Sequence, residues 1–290
     1  MPSERLCFVQ FIHPGGEHGP DSGDRKSWNH EAHRRKFLRQ RGRYVGDEGK
    51  VHEDELLFWG EWEPNSRVRP VEDRVQHGPR FVHEPFLPRQ SPDGWRQNTD
   101  PFVFGDQFHY TGCLQHTRRG PTQLRFLARG SVLLFGSAIE RSQFVLDTVL
   151  VIDRWVDHSR LDFEALATVV SDTYWRATIE PWYSGQGGDE QSYRLYSGAT
   201  YENPLNGMFS FFPCTTLAEN RNGFARPEIR LPGLVTPTLT QGKRLNRGIT
   251  AADVKASWAE VVHQVQAQGL SLGVYAELPT AGSDNKSTES

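Results

Sequence analysis

The chain has 290 residues, of which 36% are hydrophobic and 24% are charged, and its formal net charge is −3. It contains no run of about 18 apolar residues, so the sequence predicts neither a transmembrane helix nor a membrane partner. Its nearly neutral charge argues against sequence-indifferent binding to nucleic acid, which depends on broad neutralisation of phosphates.

Short segments rich in β-branched and aromatic residues, bounded by glycine and proline, predict strands along most of the chain. In chain order they are residues 6–12, 55–62, 102–110, 123–127, 131–135, 144–152, 193–199, 208–212 and 270–278. The segment 123–152 is expected to contain a central hairpin, because its apolar stretches surround two glycines.

Three segments carry apolar residues at helical spacing: 28–41, 159–177 and 250–268. Thr250 and Asp253 predict a capping box at the start of the last one. Few helices and no sustained strand–helix–strand alternation indicate an α+β fold, with a mainly antiparallel twisted sheet or partly closed barrel and two to three packed helices.

The domain organisation follows from composition. We expect a single compact domain over residues 1–278, with a possible internal boundary near 183–191, and a disordered tail at 279–290. The three cysteines are far apart and the N-terminal segment lacks a signal-peptide pattern, so reduced thiols and a cytoplasmic location are expected. The sequence does not predict the oligomeric state.

Histidine is concentrated in the first part of the chain, since all but two of the 11 histidines lie within residues 1–116. His13 directly follows the first predicted strand, and Glu17 and His18 follow a glycine pair. Two imidazoles beside a carboxylate can act as acid and base or bind a divalent metal. We therefore predict catalytic roles for His13, Glu17 and His18, with His13 and His18 as metal ligands. The candidates for a third ligand are Asp21, His33 and His109. A glycine-rich turn with solvated imidazoles is the alternative.

The predicted helix 28–41 is strongly cationic. Arg34, Arg35 and Arg39 are its candidate residues for binding phosphate or a nucleic-acid backbone, because guanidinium groups form bidentate contacts with phosphate. A solvated charged face is the alternative interpretation.

A carboxylate lies between two tryptophans in the predicted strand 55–62. The apolar setting is expected to raise the pKa of Glu61, which makes it a fourth catalytic candidate. Aromatic and polar side chains on this strand and on 102–110 could bind a base by stacking and hydrogen bonding. These substrate-binding candidates are Trp59, Trp62, Asp106, His109 and Tyr110; core packing is the alternative for the tryptophans.

In the C-terminal half, Arg194 precedes a tyrosine and a glycine on a predicted strand, and Ser210 lies on a later aromatic strand. This pattern resembles the nicotinamide-pocket strands of ADP-ribosyltransferases. The resemblance implies that Arg194 binds the dinucleotide phosphates and Ser210 the nicotinamide ribose. It implies Glu219 or Glu228 as the catalytic glutamate.

Histidine, arginine and aromatic residues in one part of the chain favour an enzyme acting on a nucleotide or nucleic-acid substrate, through His/Glu acid–base or metal-assisted chemistry. Three alternatives stay open: a non-catalytic module that binds nucleic acid or a modified base, an ADP-ribosyltransferase-like enzyme using NAD, and a structural subunit of a larger assembly. The usual motifs of Rossmann folds, P-loop proteins and α/β-hydrolases are absent from the sequence.

Overall fold

The computed structural model describes residues 3–13, 15–21, 23–29, 33–87, 98–139, 142–184, 191–236, 243–246 and 248–281. In chain order the strands are β1 (Phe8–His13), β2 (Arg25–Lys26), β3 (Lys36–Val45), β4 (Val51–Gly60), β5 (Ser66–Pro70), β6 (Phe81–Pro85), β7 (His109–Tyr110), β8 (His116–Thr117), β9 (Gly120–Pro121), β10 (Val132–Ile139), β11 (Gln143–His158), β12 (Tyr193–Gly198), β13 (Phe212–Thr216), β14 (Lys243–Asn246) and β15 (Ser271–Ala276). With helices between them, these strands form the α+β fold that the sequence predicts.

Four strands close on themselves. β15 pairs antiparallel with β13, β13 with β4, β4 with β3, and β3 again with β15. On the far side of β3, the sheet continues through β6, β5 and β2. The predicted partly closed barrel is therefore confirmed.

A second sheet has the order β14-β1-β10-β11-β12-β7. β10 and β11 form the predicted central hairpin, with a register shift between Phe135 and Gly136. The pairing of β1 with β10 is parallel, whereas the other pairings in this sheet are antiparallel.

Both faces of the central strands are buried, in two separate hydrophobic cores. In β1, Val9 and Phe11 belong to one core and Phe8 to the other. In β3, Leu38 and Phe37 divide in the same way. Because neighbouring residues of a strand point to opposite faces, these adjacent apolar residues can all be buried.

The long helix Ala251–Ala267 confirms the prediction for 250–268, including the reciprocal capping box of Thr250 and Asp253. The prediction for 159–177 is correct only in part. Its first helical residues form the 3₁₀-helix Phe163–Thr168, and further helical turns extend to Ser184. No helix among the described residues is long and apolar enough to span a bilayer.

The predicted cationic helix over 28–41 is wrong, because residues from Lys36 onward form strand β3. Adjacent apolar residues in this segment pack into two different hydrophobic cores, so they do not form one apolar stripe of a helix. Its charges pair across the hairpin: Arg39 Nε lies 2.8 Å from Glu55 Oε2 and Arg41 Nε 2.7 Å from Glu53 Oε1.

Three strand predictions also need correction. Most of 123–127 is the 3₁₀-helix Gln123–Phe126, which begins where the Thr122 side chain accepts a hydrogen bond from the Leu124 N–H. Within 102–110, only His109–Tyr110 forms a named strand, and the strand predicted over 208–212 begins at Phe212. Residues 185–190 of the predicted boundary and 282–290 of the predicted tail lie outside the described residues.

Candidate functional site

Four polar side chains meet where β3 begins and β4 ends. The two strands are antiparallel and paired along their whole length. Extending their register beyond the strand ends places Arg35 beside Glu61 and His33 beside Glu63. Alternate residues of an extended chain point to the same side, so these four side chains are brought together by the hairpin itself.

His33 lies between the two glutamates. Its Nδ1 is 2.8 Å from Glu61 Oε1 and 3.0 Å from Glu63 Oε1. The glutamate side chains are 2% and 1% exposed, whereas His33 is 34% exposed. Burial lowers the pKa of His33, but Glu63 and Glu61 together raise it to about 11. Burial raises the pKa of Glu63, but His33 lowers it overall. At neutral pH these pKa shifts make His33 an imidazolium and Glu63 a carboxylate.

Arg35 links Glu61 to a third buried acid. Its Nη1 is 3.0 Å from Glu61 Oε2, and its Nε donates to Asp147 Oδ2 on β11 at 2.8 Å. The guanidinium of Arg226 approaches the other Asp147 oxygen at 3.6 Å. Arg35 is 1% exposed. Breaking ion pairs this deeply buried is strongly destabilising, because loss of one partner leaves a buried charge without compensation.

His13 lies between Glu61 and Cys113. Its Nδ1 is 3.6 Å from Glu61 Oε2 and accepts a hydrogen bond from Arg35. Burial, followed by the charge of Arg35, lowers the pKa of His13 well below its usual range. A neutral ring that accepts at Nδ1 carries its proton on Nε2. That nitrogen is 3.8 Å from Cys113 Sγ.

The turn that carries Cys113 is anchored by Asp100. The backbone N–H groups of Thr111 and Cys113 donate to the Asp100 carboxyl group at 2.8 and 3.2 Å. Gly112 and Leu114, on either side of the cysteine, have φ of +78° and +56°. Leucine rarely adopts this left-handed conformation, and such conformations concentrate at functional sites.

An open cleft of about 610 Å³, here named the His33 cleft, is lined by His33 and Cys113. Its aromatic lining residues are Trp182 and Tyr193, whose ring centroids are 5.4 Å apart. Trp182 packs against Gly112, where a Cβ atom would lie 3.1 Å from the indole ring. The other lining residues are Asn98, Leu114, His116, Thr117, Arg118 and Gln191.

Comparison with known proteins assigns no family to this arrangement. No protein-family model matches the sequence, and no curated protein or solved structure matches the chain. The functional interpretation therefore depends on the geometry of the site.

Two of the four predicted catalytic residues, His13 and Glu61, lie in the site. Glu17 instead accepts hydrogen bonds from the backbone N–H groups of Arg80 and Phe81 at 2.8 and 3.0 Å. His18 is 3% exposed, and burial lowers its pKa to about 3, so it is a neutral core residue.

The structure does not unite His13 and His18, the predicted metal ligands, in one set of three ligands. Among the described residues, the set with suitable spacing consists of His33, Glu61 and Glu63. His33 is one of the candidate third ligands, and its neighbours in this set are two glutamates instead of the imidazoles of His13 and His18.

The predicted phosphate-binding arginines have three different environments. Arg34 is exposed. Arg35 is held in the buried ion pairs described above, and Arg39 contacts Glu55 and Glu84 at 2.8 and 3.2 Å. The structure therefore does not bring these three guanidinium groups together as one free cationic face.

The predicted base-binding residues are mostly part of the cores. Trp59 and Trp62 are buried, and their indole N–H groups donate to main-chain carbonyl oxygens. His109 is also buried, and Asp106 is 92% exposed. Tyr110 is buried beneath the cysteine turn, where its hydroxyl donates to Cys113 O at 2.6 Å.

The residues implied by the ADP-ribosyltransferase resemblance have partners within the protein. Arg194 lies 3.0 Å from both Glu4 and Asp157. Ser210 is buried, and its Oγ accepts a hydrogen bond from the Val151 N–H at 3.0 Å. Glu219 accepts a hydrogen bond from the Thr216 N–H at 3.3 Å. Glu228 accepts hydrogen bonds from the guanidinium of Arg230.

Sequence reasoning missed Glu63, Cys113 and Asp147. Glu63 has a local signal, because it follows Glu61 by two residues and the same face of an extended chain carries both. Cys113 and Asp147 have none, since their position beside His13 and Arg35 depends on contacts between distant parts of the chain.

Cys113 is expected to be the thiol that reagents reach first in the folded protein, although burial raises its pKa well above the usual range and slows its alkylation. It lines an open cleft, whereas Cys7 and Cys214 are fully buried. We expect iodoacetamide to modify Cys113 at least about ten times faster than the other two, because alkylation requires access to the sulfur. Peptide mass spectrometry of the native protein measures this directly, with urea-unfolded protein and C113A as controls. Faster modification of Cys7 or Cys214 would contradict the arrangement described here.

Proposed function

We propose that the protein is an enzyme that acts on a nucleotide or nucleic-acid substrate in the His33 cleft, using His/Glu acid–base or metal-assisted chemistry. The observation that carries the proposal is the placement of Glu61 and Glu63 against His33 at this cleft. Burying a charged group costs several kcal/mol even after relaxation, and perturbed groups of this kind concentrate in active sites.

The cleft offers groups suited to both parts of a nucleotide. Trp182 contributes an indole ring to the wall of the cleft, and stacking of a base on an aromatic ring contributes about 1–3 kcal/mol. Arg118 supplies an exposed guanidinium for a phosphate. A planar anionic substrate matches this combination of an aromatic wall and a cationic edge.

The proposal assigns different roles to the residues of the site. His33, Glu61 and Glu63 supply the reacting or metal-binding atoms, and His13 and Cys113 lie next to them. Arg35 is a positioning residue, because both of its acidic partners are buried with it. A cytoplasmic location is part of the proposal, since none of the three cysteines forms a disulfide and thiols stay reduced there.

Calorimetric titration with mononucleotides, dinucleotides and short single-stranded oligonucleotides tests the binding step. We expect R118A and W182A to weaken binding by about tenfold or more, because each removes one recognised part of the ligand. R119A is the matched control, since Arg119 is an exposed neighbour that does not line the cleft. Absence of binding, or equal losses in R118A and R119A, would overturn the proposed ligand class.

Product analysis by mass spectrometry tests the catalytic step. E63Q keeps the shape of the side chain but removes its charge, so we expect product formation to fall by at least about a hundredfold while nucleotide affinity is kept. If the wild-type protein binds nucleotide and returns it unchanged, the alternative of a binding module is correct instead.

A further inference from the structure

We propose that His33 Nδ1, Glu61 Oε1 and Glu63 Oε1 form a binding site for one divalent first-row transition-metal ion. The inference deepens the proposed function by naming the metal-assisted form of its chemistry. Binding of the ion requires no substrate, so the two proposals can fail separately.

The spacing of the three atoms fits ligands of one ion. The nitrogen is 2.8 Å from one carboxylate oxygen and 3.0 Å from the other. All three ligand atoms lie within 4.8 Å of one another. Ligands at about 2.0–2.2 Å from an ion and at right angles to each other are themselves about 3 Å apart. The ion would take the place of the proton that His33 Nδ1 shares with the carboxylates.

A neighbouring cation orients one of the ligands, Glu61. Glu61 Oε2 faces Arg35 Nη1 at 3.0 Å, which turns Oε1 toward His33. Hydrogen-bonding partners around metal ligands fix the orientation of those ligands.

The buried carboxylate of Glu63 is an independent indication of a bound cation. The Glu63 side chain is 1% exposed and interacts with His33, Lys36 and Asn29, yet no hydrogen bond of good geometry reaches its Oε2 atom within the described part of the chain. Leaving a buried carboxylate oxygen unpaired is costly, and a cation beside Oε1 can also bind Oε2.

The exposure of His33 gives the ion access to substrate. His33 lines the cleft and is 34% exposed, whereas the glutamates lie beneath it. Three protein ligands leave at least one coordination position for water or a substrate oxygen, as in catalytic metal sites. One imidazole with two carboxylates favours Mn²⁺, Fe²⁺ or Zn²⁺ over Mg²⁺ and Ca²⁺, which prefer oxygen ligands alone.

Calorimetric titration of tag-free, chelator-treated protein with Mn²⁺ and with Zn²⁺ tests the site. We expect one ion per chain, with weaker binding of Mg²⁺, and a loss of at least about a hundredfold in affinity in both E63Q and H33Q. E53Q is the matched control, because Glu53 lies on the exposed half of β4 and pairs with Arg41. No binding to the wild-type protein, or equal affinity in E63Q and E53Q, would overturn the proposal.

Electron spin-echo spectroscopy of Mn²⁺ on the wild-type protein keeps the test decisive if a variant fails to fold. Coupling to an imidazole nitrogen is expected, and its absence would show that His33 is not a ligand. Nucleotide titration in the presence of a chelator separates the two proposals. Nucleotide binding without any metal binding would support the proposed function and contradict the metal site. Metal binding without nucleotide binding would support the metal site and contradict the proposed ligand class.

Discussion

Replacing Arg35 with methionine is expected to lower the free energy of unfolding by about 3–5 kcal/mol. Arg35 is 1% exposed, and its guanidinium lies 3.0 Å from Glu61 and 2.8 Å from Asp147. The substitution keeps much of the apolar stem but leaves two buried carboxylates without their main positive partner. Urea unfolding followed by circular dichroism measures the change.

The matched control for R35M is R41M, on the same strand hairpin. Arg41 contacts Glu53 at 2.7 Å, but both side chains are more than half exposed. Solvent and salt screen such a pair, so R41M is expected to leave the unfolding midpoint unchanged. R35M/D147N removes one of the uncompensated charges and is expected to recover part of the loss. Equal midpoints for R35M and R41M would show that the buried ion pairs contribute nothing to stability.

Acid is expected to destabilise the protein through His158, by up to about 3 kcal/mol between pH 6.5 and pH 4. Its ring nitrogens lie 2.8 Å from the hydroxyl of Thr111 and 2.6 Å from that of Tyr183. Burial lowers the pKa of His158 to about 4, although Asp162 and Asp157 oppose this. The unfolded chain binds the proton near pH 6.5 and the folded chain does not. The stabilisation is therefore complete above pH 6.5 and is lost as the pH falls toward 4.

Unfolding free energies of H158N measured across this pH range test the assignment. The variant lacks the titrating ring, so its stability is expected to fall less steeply with decreasing pH than that of the wild-type protein. His109, whose pKa burial lowers to about 4, retains part of the dependence. H52N, at an exposed position, is the control. Parallel curves for the wild-type protein and H158N would contradict the prediction.

The fold could be predicted where one local pattern determines an element. The long helix Ala251–Ala267 has a single apolar stripe and a capping box, and the hairpin of β10 and β11 has apolar strands bounded by glycine. The helix prediction for segment 28–41 is wrong because both faces of β3 are buried. Its adjacent apolar residues fit a helix or a strand equally well, and only the two cores of the folded protein decide between them.

The candidate site was predictable to a smaller extent. His13 and Glu61 were found because their residue types and their neighbours indicate acid–base chemistry. The grouping of Glu61 with His33 and Glu63 depends on the pairing of β3 with β4, and the approach of His13 depends on the packing of β1 from the other sheet. The approach of Cys113 to His13 joins residues that are distant in sequence, so no window of the chain contains it.

The hairpin of β3 and β4 sets an order for the assembly of the site. Residues 46–50 connect the two strands, so their pairing closes a short loop at little entropic cost and is expected early in folding. His33, Glu61 and Glu63 all belong to this hairpin and its immediate ends, whereas Cys113 and Asp147 come from later parts of the chain. An ion captured during folding would therefore meet its ligands first and be enclosed afterwards by the walls of the cleft.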